Sequence, residues 1–208
     1  MTQDDVYGVD HGFMTTMQTD PRPLFRAALD RVADLIEGTA PDRFDAPTPC
    51  PEFDVNSLIG HIVGTVDRGR VIGEGGDPLT VPDVVTGSED WIATLRAAAD
   101  RYWTVWDDDA MLDTPVTAPW GTFPGRAAIL IALNEALVHG WDLAVATGQS
   151  AEADPELAAA ALGIMQVALP AEPRGGPIPF GAVVESAADA GPTERLANWS
   201  GRVSAPWR

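Results

Sequence analysis

Residues 125–148 read G-R-A-A-I-L-I-A-L-N-E-A-L-V-H-G-W-D-L-A-V-A-T-G, and Ala127 to Ala146 is the most apolar stretch of the chain. The segment predicts one long helix over Gly125 to Thr147, closed by Gly148 as a left-handed residue just past its end. Inside it stand Glu135 and His139, among Ile129, Leu130, Ile131, Leu133, Leu137, Val138, Leu143 and Val145. A carboxylate and an imidazole in such surroundings carry a desolvation cost that only a partner or a chemical task offsets. A metal ion is the partner these residue types favour.

Three further helices are predicted before this one. Pro21 to Glu37 carries a stripe of Leu24, Ala28, Leu29, Val32, Leu35 and Ile36, with Gly38 as its terminator. Asp54 is a good N-cap for a second helix, in which Val55, Leu58, Ile59, Ile62, Val63 and Val66 recur at spacings of three and four before Gly73, Gly75 and Gly76 interrupt. Ser88 caps a third, ending near Asp107, with Trp91, Ile92, Leu95, Ala98, Tyr102 and Val105 as its apolar set. Between the first two lies Thr39 to Phe53, whose Pro41, Pro47, Pro49 and Pro51 predict an extended crossing. Met111 to Gly125 reads as a long structured loop with one extended piece at Thr114 to Thr117. A fifth, alanine-rich helix is expected over Asp154 to Leu169, then an apolar run from Phe180 to Val184 and a short helix from Pro192 to Trp199. Four long helical patterns without a strand-rich region predict an all-α bundle with extra short C-terminal elements.

Composition narrows the function classes. The 208 residues fit one domain over residues 21–208, with a polar, flexible N-terminal arm over residues 1–20. A net charge of -18 repels phosphate backbones and anionic lipid, so neither nucleic acid nor a membrane surface is an expected partner. The single cysteine, Cys50, allows no internal disulfide and suits a reducing, cytoplasmic setting. All 13 basic residues are arginines, which excludes Schiff-base lysine chemistry.

Residues four apart on a helix differ by about 40° around the axis and about 6 Å along it, so one ion is within reach of both Glu135 and His139. Bundle sites are completed from a facing helix, and His61 is the histidine on another predicted helix, since His11 lies in the arm. Two imidazoles and a carboxylate suit zinc with an open position, and suit Fe(II) or Ni(II) as well. Asp142, one turn beyond His139, is placed to accept from that histidine's other ring nitrogen, while Asn134 and Trp141 flank this face as cavity walls. Two observations pull the other way. His61 falls roughly 130° from the centre of its helix's apolar stripe, beside Ser57, Gly60 and Gly64, which mean either room for a substrate or an exposed face. Glu135 paired with an arginine, and His139 donating to a carbonyl, are the bland alternatives. Cys50 reads as a small buried hydrophobe.

T-P-C-P-E-F-D-V-N-S-L-I-G-H, from Thr48 to His61, and N-E-A-L-V-H-G-W-D-L-A-V-A-T-G, from Asn134 to Gly148, resemble the mycothiol-dependent maleylpyruvate isomerase metal-binding domain family of the DinB/YfiT-like superfamily. L-A-N-W-S-G-R-V, from Leu196, is similar to the closing segment of its single-domain, uncharacterised metal-binding branch. The resemblance implies an up-down-down-up four-helix bundle, a divalent metal, usually zinc, on residues matching His61, Glu135 and His139, and a low-molecular-weight thiol such as mycothiol as cosubstrate. The characterised isomerase has a separate C-terminal domain that this length does not accommodate in full, so the resemblance implies metal binding ahead of that reaction. A metal-dependent thiol transferase or isomerase acting on a small electrophile is the leading expectation, with Arg195 or Arg202 holding a carboxylate of the thiol or substrate. The alternative is a non-catalytic metal or small-molecule binding or sensing protein, dimeric through a helical face.

Overall fold

The computed structural model describes residues 20–175 and 180–208; the expected N-terminal arm falls almost wholly outside them. Four long helices, α1 (Arg22–Glu37), α2 (Val55–Gly73), α3 (Trp91–Trp106) and α4 (Gly125–Thr147), form the body. A hairpin of β1 (Pro115–Ala118) and β2 (Gly121–Pro124) precedes α4, and α5 (Pro155–Ala168) and α6 (Pro192–Trp199) follow it.

Side-chain contacts fix the helix directions. A Cβ on Gly60, early in α2, would meet the Trp91 ring at the start of α3, and one on Gly73 would meet Trp106 at its end, so α2 and α3 run parallel. Phe25, at the start of α1, packs on Tyr102 and Trp103 late in α3, which makes those two antiparallel. Trp106 also abuts Gly125 at the start of α4, while Gln149 just beyond α4 donates to the Leu35 carbonyl late in α1, so α4 runs with α1. The result is the up-down-down-up order.

Local chemistry accounts for the ends. Asp54, Asp90 and Asp154 each accept from a backbone N–H of the first turn of α2, α3 and α5. The cap of α3 is thus Asp90 rather than Ser88, because the carboxylate reaches the Ala93 N–H while Ser88 Oγ accepts from the Asp90 N–H. Gly148 ends α4 at φ 74°.

The core is apolar and aromatic. Phe25, Tyr102 and Trp106 are essentially fully buried, with Tyr102 5.1 Å from Phe25 and 5.7 Å from Trp106. Removal of a side chain such as Phe25 from water contributes about 1.5–3 kcal/mol. In α1 it is Phe25, not Leu24, that enters this core. Helix α4 is long and apolar enough to cross a membrane, yet its most apolar window is 78% buried against the other helices, so its composition is that of a central core element.

Two connections differ from expectation. The stretch before α2 is not simply extended: it holds a 3₁₀ turn at Pro41–Arg43 and a bridge between Pro47 and Asp54. The loop before α4 folds back on itself, Val116 facing Phe123 and Ala118 facing Gly121, because Pro119 and Trp120 supply a two-residue turn that hides the second strand from a period-two reading.

Candidate metal centre

Helix α4 supplies one wall of the centre. Glu135 and His139 lie one turn apart with Oε2 3.5 Å from Nε2, and Asp142 Oδ2 is 3.1 Å from His139 Nδ1. A carboxylate oxygen accepts here, so Nδ1 carries the proton and Nε2 faces Glu135. Helix α2 supplies the opposite wall. The His61 ring lies edge-on to His139 at 4.9 Å between centroids, and its Nδ1–H donates to the Asp83 carbonyl at 3.0 Å, which leaves its Nε2 as the donor for an ion. One ligand atom from each of His61, Glu135 and His139 lies within 4.8 Å of the others.

The position of His61 resolves the sequence-level objection. Helix α2 is buried on more than one face, because residues 81–87 cross it closely. A Cβ on Gly60 would overlap the Val85 carbonyl oxygen, and one on Gly64 would sit 2.9 Å from the Pro82 oxygen. The small residues are therefore neither a substrate recess nor an exposed face. They admit the loop whose Asp83 carbonyl holds His61. Phe53, delivered by the turn in which Thr48 Oγ1 donates toward the Cys50 and Phe53 carbonyls, stacks on His61 at 4.7 Å.

The two imidazoles sit in opposite fields. Burial, then the nearby His139 charge, pushes His61 down to about 4. Burial acts the same way on His139, but its bonds to Asp142 and Glu135 outweigh it and push that group up to about 9. Glu135 is lowered despite its burial, by the hydrogen bond and charge of His139.

A second set of potential ligands, Cys50, His139 and Asp142, meets on the far side of the His139 ring. There Arg202 Nε donates to both oxygens of Asp142, at 2.9 and 3.0 Å. A guanidinium in contact with the carboxylate opposes a cation at this place, and burial raises the Cys50 thiol away from thiolate. The first set fits a divalent ion better: two imidazoles and a carboxylate, with no arginine bonded to Glu135 among the described residues, so that an ion has only the His139 proton to displace.

Behind the donors is a cavity of about 10 Å³, room for about one water, between Phe25, Leu29, Ile62 and Val66 on one side and Glu135 and His139 on the other. Asn134 and Trp141 are buried, but neither lines it. Arg195, expected at the site, is exposed, and its guanidinium donates to the Ala190 and Ala188 carbonyls. Arg68 was not anticipated. It lies two turns after His61, donates to Thr65 Oγ1, Pro82 O and Asp83 Oδ1, and feels the Glu135 charge; its seven-residue spacing from His61 was the available signal.

This architecture is that of a DinB-like helical protein. A DinB-like protein from Bacillus subtilis, of known crystal structure, superposes with a TM-score of 0.52 at 16% identity, over 65% of this chain and 95% of its own. Residues 25–144 match the model of the mycothiol maleylpyruvate isomerase N-terminal domain. The chain belongs to that family, and the matched residues include His61, Glu135 and His139 but neither Arg195 nor Arg202. Two uncharacterized proteins of Mycobacterium tuberculosis, from strains CDC 1551 and H37Rv, are each 32% identical over 185 residues, covering 88% of this chain and 98% of the relative.

Proposed function

We propose that the chain binds a divalent metal, zinc in the first instance, through His61, Glu135 and His139, and uses it in the chemistry of a mycothiol-type thiol with a small electrophile, as a transferase or isomerase. The observation that carries this reading is the convergence of three donor atoms from two helices, with each Nδ1 occupied by an acceptor so that Nε2 is the nitrogen each histidine has left for an ion. A divalent cation held there would supply Lewis acidity, favouring the ionised form of a thiol brought to it. The protein's own part is orientation and exclusion of water. Phe53 and the Asp83 carbonyl hold the His61 ring, and Asp142 holds that of His139. The inner cavity has room for little more than a water, so thiol and electrophile would meet the centre from outside it, where Arg68, paired with Asp83, adds positive charge near Glu135.

Elemental analysis of untagged protein, beside His61→Ala and His139→Ala, tests the centre. Stoichiometric metal in the wild type and none in the variants is expected; absence of metal from the wild type overturns the reading. Loss of free thiol with a panel of electrophiles, compared between metal-loaded and chelated protein, then separates catalysis from binding. Equal rates would favour a non-catalytic binding protein, the second reading, which the small inner cavity supports.

A further inference from the structure

Arg202 lies 60 residues beyond Asp142 and outside the segment that matches the family model, yet it is bonded to the residue that orients His139. Asp142 is fully buried, and a carboxylate so placed requires its charge to be met. His139 takes one oxygen through Nδ1, and Arg202 Nε bridges both. The backbone around Arg202 is held as firmly. Its N–H donates to the Ala197 carbonyl at 2.9 Å, and its own carbonyl accepts from Asn198 Nδ2 at 2.9 Å. The turn that delivers it passes through Gly201 at φ 95°, where a Cβ would sit 2.8 Å from the Gly181 Cα.

Resting on the metal reading above, we propose that Arg202 is a positioning residue of the centre: by fixing the Asp142 carboxylate against His139 Nδ1, it holds the tautomer and ring angle that aim Nε2 at the ion. The C-terminal turn is then part of the centre's outer support, and Nε of Arg202 is committed to Asp142 rather than to the thiol or substrate. Losses of 10–100-fold in metal affinity are usual when such outer partners are removed.

The test measures zinc affinity by competition with a chromophoric chelator, and the d–d spectrum of the cobalt-loaded protein, for wild type, Arg202→Gln and Arg202→Lys. Expected are a 10–100-fold weaker zinc affinity and an altered cobalt spectrum in Arg202→Gln. Arg202→Lys should recover most of both, because the contact is made through one nitrogen. Wild-type affinity and spectrum in Arg202→Gln would overturn the positioning role while leaving the metal centre standing; no zinc binding by the wild type would overturn both. Should Arg202→Gln not fold, Asp142→Leu with Arg202→Met replaces the pair by apolar groups of similar bulk, a change that cores tolerate. The folded double variant is expected to show the same loss, and wild-type affinity in it would make the pair purely structural.

Discussion

The two walls of the centre are built on different principles. On the α2 side a neutral imidazole is held by a backbone carbonyl and an aromatic face, with the Arg68 guanidinium nearby. On the α4 side an imidazole stands between two carboxylates. The rings are 4.9 Å apart, yet one is pushed down to about 4 and the other up to about 9. A cation-seeking pocket needs its negative charge concentrated on one wall, and the other wall supplies a ligand that adds no charge. The difference teaches that the α4 wall draws a positive charge, which a proton on His139 supplies and which, on the proposed reading, a metal ion would supply instead.

The largest expected effect follows from that asymmetry. With His61 pushed down to about 4 and His139 up to about 9, the centre without metal is expected to carry its proton on His139 and not on His61 at neutral pH. Zinc needs a neutral nitrogen, so uptake displaces that proton, and the apparent affinity should rise about tenfold per unit from pH 7 toward 9 and then level off. Calorimetry at pH 7.5 in buffers of different ionisation enthalpy should show release of about one proton. The same shifts set the stability of the metal-free fold. His139 is raised, so its contribution is full below its unfolded value of 6.5 and disappears as pH climbs through about 9. His61 is lowered, so protonation disfavours the fold as pH falls from 6.5 through about 4. The metal-free protein should therefore be most stable near pH 6.5 with respect to these two groups, and a monotonic thermal profile through that region would contradict the opposed fields.

A smaller effect tests how the α2 wall is held. Gly60→Ala places a methyl group against the Val85 carbonyl oxygen and forces residues 81–87 away from the helix. Overpacking of this kind costs about 1–3 kcal/mol. Because the displaced loop carries the Asp83 carbonyl, zinc affinity should fall with stability, measured by urea unfolding and chelator competition on the same preparation. Unchanged affinity in a destabilised Gly60→Ala protein would mean that His61 keeps its orientation without the loop.

The α4 wall was legible in the sequence and the α2 wall was legible only in part, for a physical reason. Glu135, His139 and Asp142 are related by spacings of three and four, which helix geometry converts directly into a shared face. His61 looked misplaced because a helical wheel assumes one buried face, whereas α2 has another beneath an irregular loop. Residues 81–87 carry no periodic signal; the only trace of their packing was the glycine at 60 and at 64, which reads equally well as exposure. The four bundle helices were visible through apolar periodicity, and the second also through its Asp54 cap, whereas the third is capped by Asp90 and not by the Ser88 that the sequence suggested. The second hairpin strand was not, since Gly121 and Pro124 leave too little between them to show alternation. The partner of Asp142 was beyond sequence reasoning altogether, because a contact across 60 residues depends on where α6 ends.

The smallest effect separates the two arginines that the sequence could not. Both Arg195 and Arg202 belong to the closing segment, and both read as candidates for an anionic group. Arg202 points inward to a fully buried carboxylate, whereas Arg195 is exposed and bonds only to loop carbonyls among the described residues. Arg195→Ala should therefore leave zinc affinity within about twofold of wild type and change stability by no more than about 0.5 kcal/mol, the range usual for surface substitutions. It should also leave KM for any thiol cosubstrate unchanged. A tenfold rise in that KM with intact metal binding would return Arg195 to the site as a binding residue, reached by a movement of the tail, and would make the exposed guanidinium rather than Arg68 the receptor for an anionic cosubstrate.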